Sequence, residues 1–284
     1  MIDQASKDLA EVFRDVEMHQ KINGIIRNRT TNAGDIRESA LKGFGFSNVK
    51  TILDLGCGFG FFTRMLKGRT VPEAKITGID CHPGYRDSYL DSCRHAEIMG
   101  EFIGECITSI RRIKSNTIDL ILCSYALYFF PEILPQISRI LKDNGTFITI
   151  THSRYHLREL GLLVKGVLSD FNFNQTDELP YETLIEKFSA ENGIGLLKPW
   201  FGSIQTEKHP NSLVFTRNDI AELEAYLRFK PSFFIPETGP EKEEFISLVL
   251  DSFKEVMKED QQLSISKNDI IFSCNVPLMK GRMK

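Results

Sequence analysis

A doubly wound α/β fold is expected for this chain on two observations: strand and helix signals alternate from residue 51 to residue 152, and a glycine loop joins the first strand to the first helix of that run. Ahead of it, Leu9, Val12, Phe13, Val16, Ile22, Ile25 and Ile26 recur at spacings of three and four, predicting an amphipathic helix over 5–28. A shorter helix is expected over 35–42, ended by Gly43. Apolar and β-branched runs predict strands at 51–55, 76–80, 101–106, 118–124 and 146–152, with helices at 61–67, 84–96 and 132–142 between them. Such alternation requires right-handed crossovers, hence a mostly parallel sheet with helices on both faces.

Beyond His152 the pattern turns helical, at 155–168, 181–191, 217–229 and 241–258, interrupted by Pro199, Pro210, Pro231 and Pro236. This predicts a helical cap inserted after strand five. Thr216 to Asp219 looks like a capping box, and Pro240 sits where a first-turn proline is tolerated. Leu263–Ile265 and Ile270–Val276 are expected to return to the sheet. The chain therefore divides into an N-terminal helical segment (1–46), a core (47–153), a cap (154–260) and closing strands (261–284).

Composition narrows the class. With 284 residues, 42% of them apolar and 26% charged, the chain has enough carbon for a real core. A net charge of −3 gives no positive field to hold a polyanion, so nucleic-acid binding is not expected. Six cysteines without a CxxC pair suit a reducing cytoplasm. The opening MIDQASKDLAEVF carries acids where a signal peptide needs a basic end, and the apolar stretch from Leu120 to Phe130 stops well short of the roughly 20 residues that span a bilayer. Neither secretion nor a membrane span is expected.

The sharpest local signal is Ile52-Leu53-Asp54-Leu55-Gly56-Cys57-Gly58-Phe59-Gly60: an apolar strand, an acid, then three alternating glycines opening a helix. The GxGxxG dinucleotide pattern fails in both registers, because Phe61 and Thr63 stand where its third glycine belongs. Asp54 near the loop also suits a cationic ligand better than pyrophosphate. Asp80 ends the second strand at the distance where such folds hold a ribose by its hydroxyls.

With these motifs the chain, over residues 50 to 152, resembles the class I S-adenosylmethionine-dependent methyltransferases, whose fold is Rossmann-like. The resemblance implies S-adenosyl-L-methionine as cofactor, with Asp54, Gly56, Cys57, Gly58 and Gly60 toward its methionine part, Asp80 at the ribose hydroxyls, Glu105 and Cys106 at the adenine edge, and Cys81 and Ser124 among the cofactor-binding residues. Asp143-Asn144-Gly145 replaces the family's usual proline-glycine turn before strand five.

Acceptors in such folds lie beyond the carboxyl ends of strands four and five, which nominates Tyr125, Tyr128 and His152 as catalytic candidates. A histidine near its ordinary titration suits a general base; a hydrogen-bonded structural histidine is the other reading. Tyr125 and Tyr128 either orient an acceptor or pack the strand end. The cysteines read as small apolar residues at the sheet's rim, and the Cys81, His82, Cys93, His95 spacing fits no common zinc site, so no metal is expected. His156 could share an ion with His152, but no third ligand is visible. Trp200 and Phe201 either close the pocket or pack a core. Arg27, Arg29, Arg37 and Lys42 form a basic edge, read as a solvated face or as a partner for an acidic substrate or the cofactor carboxylate. Phe229, Phe233, Phe234, Phe245 and Phe253 suit a greasy pocket or a homodimer surface.

The resulting expectation is methyl transfer to a small molecule, the cap controlling access. Methylation of RNA or protein, and a non-catalytic S-adenosylmethionine-binding module, are the alternatives.

Overall fold

The computed structural model describes residues 8–174, 176–237, 239–257 and 261–278. The expected helix positions 5–7 and 258, and the outermost residues of the first and last segments, lie outside these. Five parallel strands, β1 (Thr51–Leu55), β2 (Lys75–Ile79), β3 (Met99–Ile103), β4 (Ile118–Ser124) and β5 (Leu141–His152), form the expected core. Together with β6 (Phe201–His209) and β9 (Asp269–Pro277) they make one seven-stranded sheet, in the order β3-β2-β1-β4-β5-β9-β6. β9 runs antiparallel to both β5 and β6.

Period-two alternation sends neighbouring residues to opposite faces. Leu53, Leu55, Ile121, Cys123 and Phe147 pack under the later helices. Ile52, Leu120, Leu122, Ile148 and Ile150 pack on the other face with Phe46, Phe62 and Tyr89. No helix among the described residues is long and apolar enough to cross a membrane.

Several expectations shift. The first helix begins only at Val16, because Asp15 caps it through Met18 N–H and sets a preceding 3-10 turn apart. Strand three runs from Met99 to Ile103, starting two residues and ending three residues early. Asp143-Asn144-Gly145 lies within β5, where the register slips between Ile118 and Leu120, so these residues form an irregularity rather than a separating turn. Pro240 precedes the helix Lys242–Val256 and its N-cap Glu241, so it is not in the first turn. The region 154–260 is not wholly helical. β6 was missed because its mostly exposed FGSIQTEKH is an edge strand with little apolar alternation.

Of the two closing segments, only β9 enters the main sheet. β8 (Gln262–Ser266) pairs instead with β7 (Ser212–Thr216) in a separate two-stranded ribbon. Trp200 and Phe201 do not close a pocket: Phe201 starts the edge strand and stacks on Phe147. Phe234, Phe245 and Phe253 are fully buried, and Phe229 and Phe233 meet Phe13, so the five phenylalanines pack inward rather than forming a dimer surface.

The central place of β9 can be tested at Gly193. A Cβ there would stand 2.5 Å from Cζ of Phe272 on β9, a ring fully buried against Phe188. Gly193→Ala is expected to destabilise the protein by about 1–3 kcal/mol through overpacking, read as a lower urea midpoint at unchanged slope.

Candidate active site

A cavity of about 1190 Å³ opens at the carboxyl ends of β1, β2, β4 and β5. The helix Val16–Arg29 and the helix Ile220–Phe229 roof it, joined where Arg29 bridges Asp219 at 2.7 Å and Glu222 at 2.6 Å. The capping box is present: Asp219 accepts from both Thr216 N–H and Thr216 Oγ1 at 2.7 Å.

At one end lies the glycine loop. Gly56, Gly58 and Gly60 all have positive φ, which only glycine adopts without strain. Their duties differ. A Cβ at Gly56 would strike Ala126 at 2.5 Å, and one at Gly60 would strike Ser92 at 2.8 Å, whereas one at Gly58 meets nothing within 4 Å and would project into open space. Gly56, Cys57 and Gly58 line the cavity; Gly60 does not, being a packing glycine under Ser92 and Tyr89.

Asp80 also lines the cavity. Its oxygens accept from Gly58 N–H at 2.9 Å and His82 N–H at 3.0 Å, so the second acid is fixed to the loop of the first strand. Burial pushes its carboxyl above the usual range while those two amides pull it back.

Asp54 departs from expectation. It is buried beneath the loop, outside the cavity wall, and accepts from Thr63 Oγ1 at 2.7 Å. Burial pushes its pKa up to about 7, against the Thr63 bond and Arg37. Glu105 also fails to reach the cavity. Because β3 ends early, its side chain turns outward to Arg112, while Cys106 and Ile107 take the wall. Cys81 and Cys106 are exposed at this wall rather than packed as small apolar residues; Cys57 and Cys123 are buried.

The other end carries a constellation. Register pairs His152 at the end of β5 directly with Asp269 at the start of β9, and His152 Nδ1 lies 2.7 Å from Asp269 Oδ1. Asp269 Oδ2 accepts from Tyr125 Oη at 2.7 Å and from Lys267 Nζ at 2.6 Å. The His152 ring is sandwiched, its centroid 4.7 Å from Tyr125 and 3.7 Å from His156. Burial lowers the His152 pKa although Asp269 opposes it, and lowers that of His156 further, with His152 adding to the effect. Burial works against ionised Asp269, yet Lys267 and His152 hold its carboxyl well below the usual range.

Tyr125, Tyr128, His152 and Ser124 thus all line the cavity. Asp269, Lys267 and Lys230 line it too and were missed, because only the long-range pairing of β5 with β9 and the turn after Phe229 bring them there. Arg37, from the basic edge, reaches the wall and lies over the Phe61 and Tyr125 rings; Arg29 is instead consumed by its ion pairs.

His152, His156 and Asp269 offer ligand atoms within 4.8 Å of one another, the third partner that was not visible in the sequence. The two imidazoles are within 13° of parallel, however, so their in-plane lone pairs run side by side and do not converge on one ion. Both Asp269 oxygens are also engaged. The group is built as a hydrogen-bonded stack.

The mostly parallel sheet, with a glycine loop after β1 and an acid after β2, is a Rossmann-like α/β architecture. Residues 52–145 match the family model described as a methyltransferase domain. Over 102 residues the chain is 35% identical to a trans-aconitate 2-methyltransferase from Enterobacter sp. (strain 638), covering 34% of this chain and 37% of that one. Over 113 residues it is 29% identical to a malonyl-[acyl-carrier protein] O-methyltransferase from Acetivibrio thermocellus, covering 37% and 38%. The chain thus spans little more than a third of these relatives' length. Among solved structures, the [4+2]-cyclase SpnF superposes with a TM-score of 0.55 at 13% identity, over 95% of this chain and 96% of that one. A Haemonchus contortus phosphoethanolamine N-methyltransferase 2 superposes with a TM-score of 0.50 at 13% identity, over 93% and 57%.

The buried acid under the loop has a measurable signature. Its folded pKa of about 7 exceeds the usual carboxylate value, so the folded state holds a proton that the unfolded chain releases. Stability from this group is full at acid pH and is lost as pH rises toward 7. Between pH 4.5 and 8, wild type should lose roughly 2–4 kcal/mol relative to Asp54→Asn, measured by urea unfolding of both proteins across the range. Parallel curves would show that Asp54 does not carry that proton.

Proposed function

We propose that this chain is an S-adenosylmethionine-dependent methyltransferase acting on a small molecule. The observation that carries the reading is the continuous cavity, with Asp80 and Gly58 at one end and His152, Tyr125 and Tyr128 at the other. The residues present fit the cofactor. Gly58 leaves open the space a side chain would take, and Asp80, already holding one amide on each oxygen, keeps acceptor capacity for ribose hydroxyls. Arg37, whose buried Nε has no hydrogen-bond partner, suits the amino-acid carboxylate. The relative named as a methyltransferase of trans-aconitate supports transfer to a small acceptor, and the one named for malonyl-[acyl-carrier protein] supports transfer to a small acidic group carried on a protein. A groove for RNA would need a basic surface, which the net charge of −3 does not supply.

When bound, the cofactor supplies a sulfonium methyl group for in-line displacement. The chain's own residues align the acceptor and manage its proton. Asp269 holds His152 by Nδ1, fixing the tautomer in which Nε2 is the free acceptor. Burial keeps the imidazole neutral, so it stands ready to take a proton from an acceptor that loses one. Tyr125 donates its hydroxyl to Asp269 and so serves the dyad rather than the acceptor. Tyr128 is left as the phenol available to the cavity.

Asp80→Ala is expected to weaken S-adenosylmethionine binding by roughly 1–3 kcal/mol in calorimetry, because buried ribose hydroxyls lose a charged acceptor. Unchanged affinity would remove Asp80 from the site. With label in the cofactor methyl group, wild type should transfer it to a low-molecular-weight fraction of cell extract; cofactor retained without transfer would favour a binding module.

His152→Gln should slow turnover about a hundredfold while leaving cofactor affinity intact, tested with the labelled acceptor across pH 5 to 9. Full activity of that variant throughout would eliminate the base role.

A further inference from the structure

The cavity is electrically lopsided. Four acids line it, and each has a partner: Glu11 pairs with Arg14, Asp35 caps its helix through Arg37 N–H, Asp80 accepts two amides, and Asp269 is held by His152, Tyr125 and Lys267. Lys230 is different. It follows the helix Ile220–Phe229, lines the cavity, and has no carboxylate or hydrogen-bond partner among the described residues. Its Nζ lies over three rings instead, 5.1 Å from the Tyr226 centroid, 5.3 Å from Phe233 and 5.9 Å from Phe229. Ring faces soften the cost of a buried ammonium without neutralising it.

Lys230 also sits at the acceptor end. It acts electrostatically on His152 and His156, and on His19, which stacks on Phe229 in the roof. Burial and the neighbouring Lys267 push its pKa down to about 8, the mark of a cation lacking a counterion.

Resting on the methyltransferase reading, we propose that Lys230 is a specificity-determining residue and that the acceptor is a small acid whose carboxylate it binds. A lysine walled by aromatic rings, whose ammonium offers a point charge rather than a bidentate fork, matches a monoanion with an apolar body better than a phosphate dianion. The anion anchors the acceptor on the roof, while His152 on the floor faces the atom that accepts the methyl group.

The test is calorimetric titration of S-adenosylhomocysteine-saturated protein with benzoate and glutarate, with their amides benzamide and glutaramide, and with phenyl phosphate. At least one acid should bind tenfold or more tightly than its amide. Lys230→Met should reduce that acid to the level of the amide, Lys230→Arg should keep it within about threefold of wild type, and S-adenosylhomocysteine affinity should be unchanged in both. The proposal is overturned if acids and amides bind alike, or if Lys230→Met leaves acid binding intact. Preference for phenyl phosphate over both acids overturns the carboxylate assignment. Failure of wild type to bind S-adenosylhomocysteine sinks the methyltransferase reading instead, and the same acid and amide pairs titrated into ligand-free protein then decide Lys230 alone.

Discussion

The carboxylate of Asp269 is the point on which the acceptor end depends. It is almost wholly buried, and a lone buried charge costs several kcal/mol, so it persists only because His152, Tyr125 and Lys267 surround it. Those three come from the end of β5, the loop after β4 and the turn before β9. One buried anion therefore pins three separate segments at the rim of the sheet. Tyr125 accepts a left-handed backbone, φ 55°, to reach it, a strain for a bulky residue that its hydrogen bond and its stacking on His152 offset.

Antiparallel β9 makes this possible. A strand parallel to β5 would begin at the opposite edge of the sheet, far from His152. Running the other way, β9 starts where β5 ends, and register places Asp269 beside His152 while the same strand's Phe272 is buried in the core. Fold and site are thus joined through a single strand, the last one among the described residues.

The cofactor end was largely legible because its determinants are local. Glycines with positive φ, an acid closing β2 and the alternation of β1 and β4 are written within a few residues of one another, and they reappear as expected. Failures there concern direction: Glu105 and Asp54 have the right type in nearly the right place, but an early end to β3 and the hydroxyl of Thr63 turn them from the cavity. At the acceptor end His152 could be nominated from its strand, whereas its partner stands 117 residues away and no local pattern links them. Lys230 reads in sequence as one more lysine at a helix end. Its meaning comes from what is missing around it.

That division bears on how far likeness to other proteins reaches. The methyltransferase domain match stops at residue 145, and His152, His156, Lys230, Lys267 and Asp269 all lie beyond it. The shared region therefore covers the loop and the acid toward which the cofactor is expected to lie, and is silent on the residues proposed to meet the acceptor. Fold alone does not fill the gap, since the same architecture superposes on a [4+2]-cyclase as well as on an N-methyltransferase. In this chain's cavity Asp80 stands at the loop end, while at the other end Asp269 is neutralised by its own partners and Lys230 has no carboxylate partner among the described residues, an arrangement that suits the cationic donor and anionic acceptor proposed above.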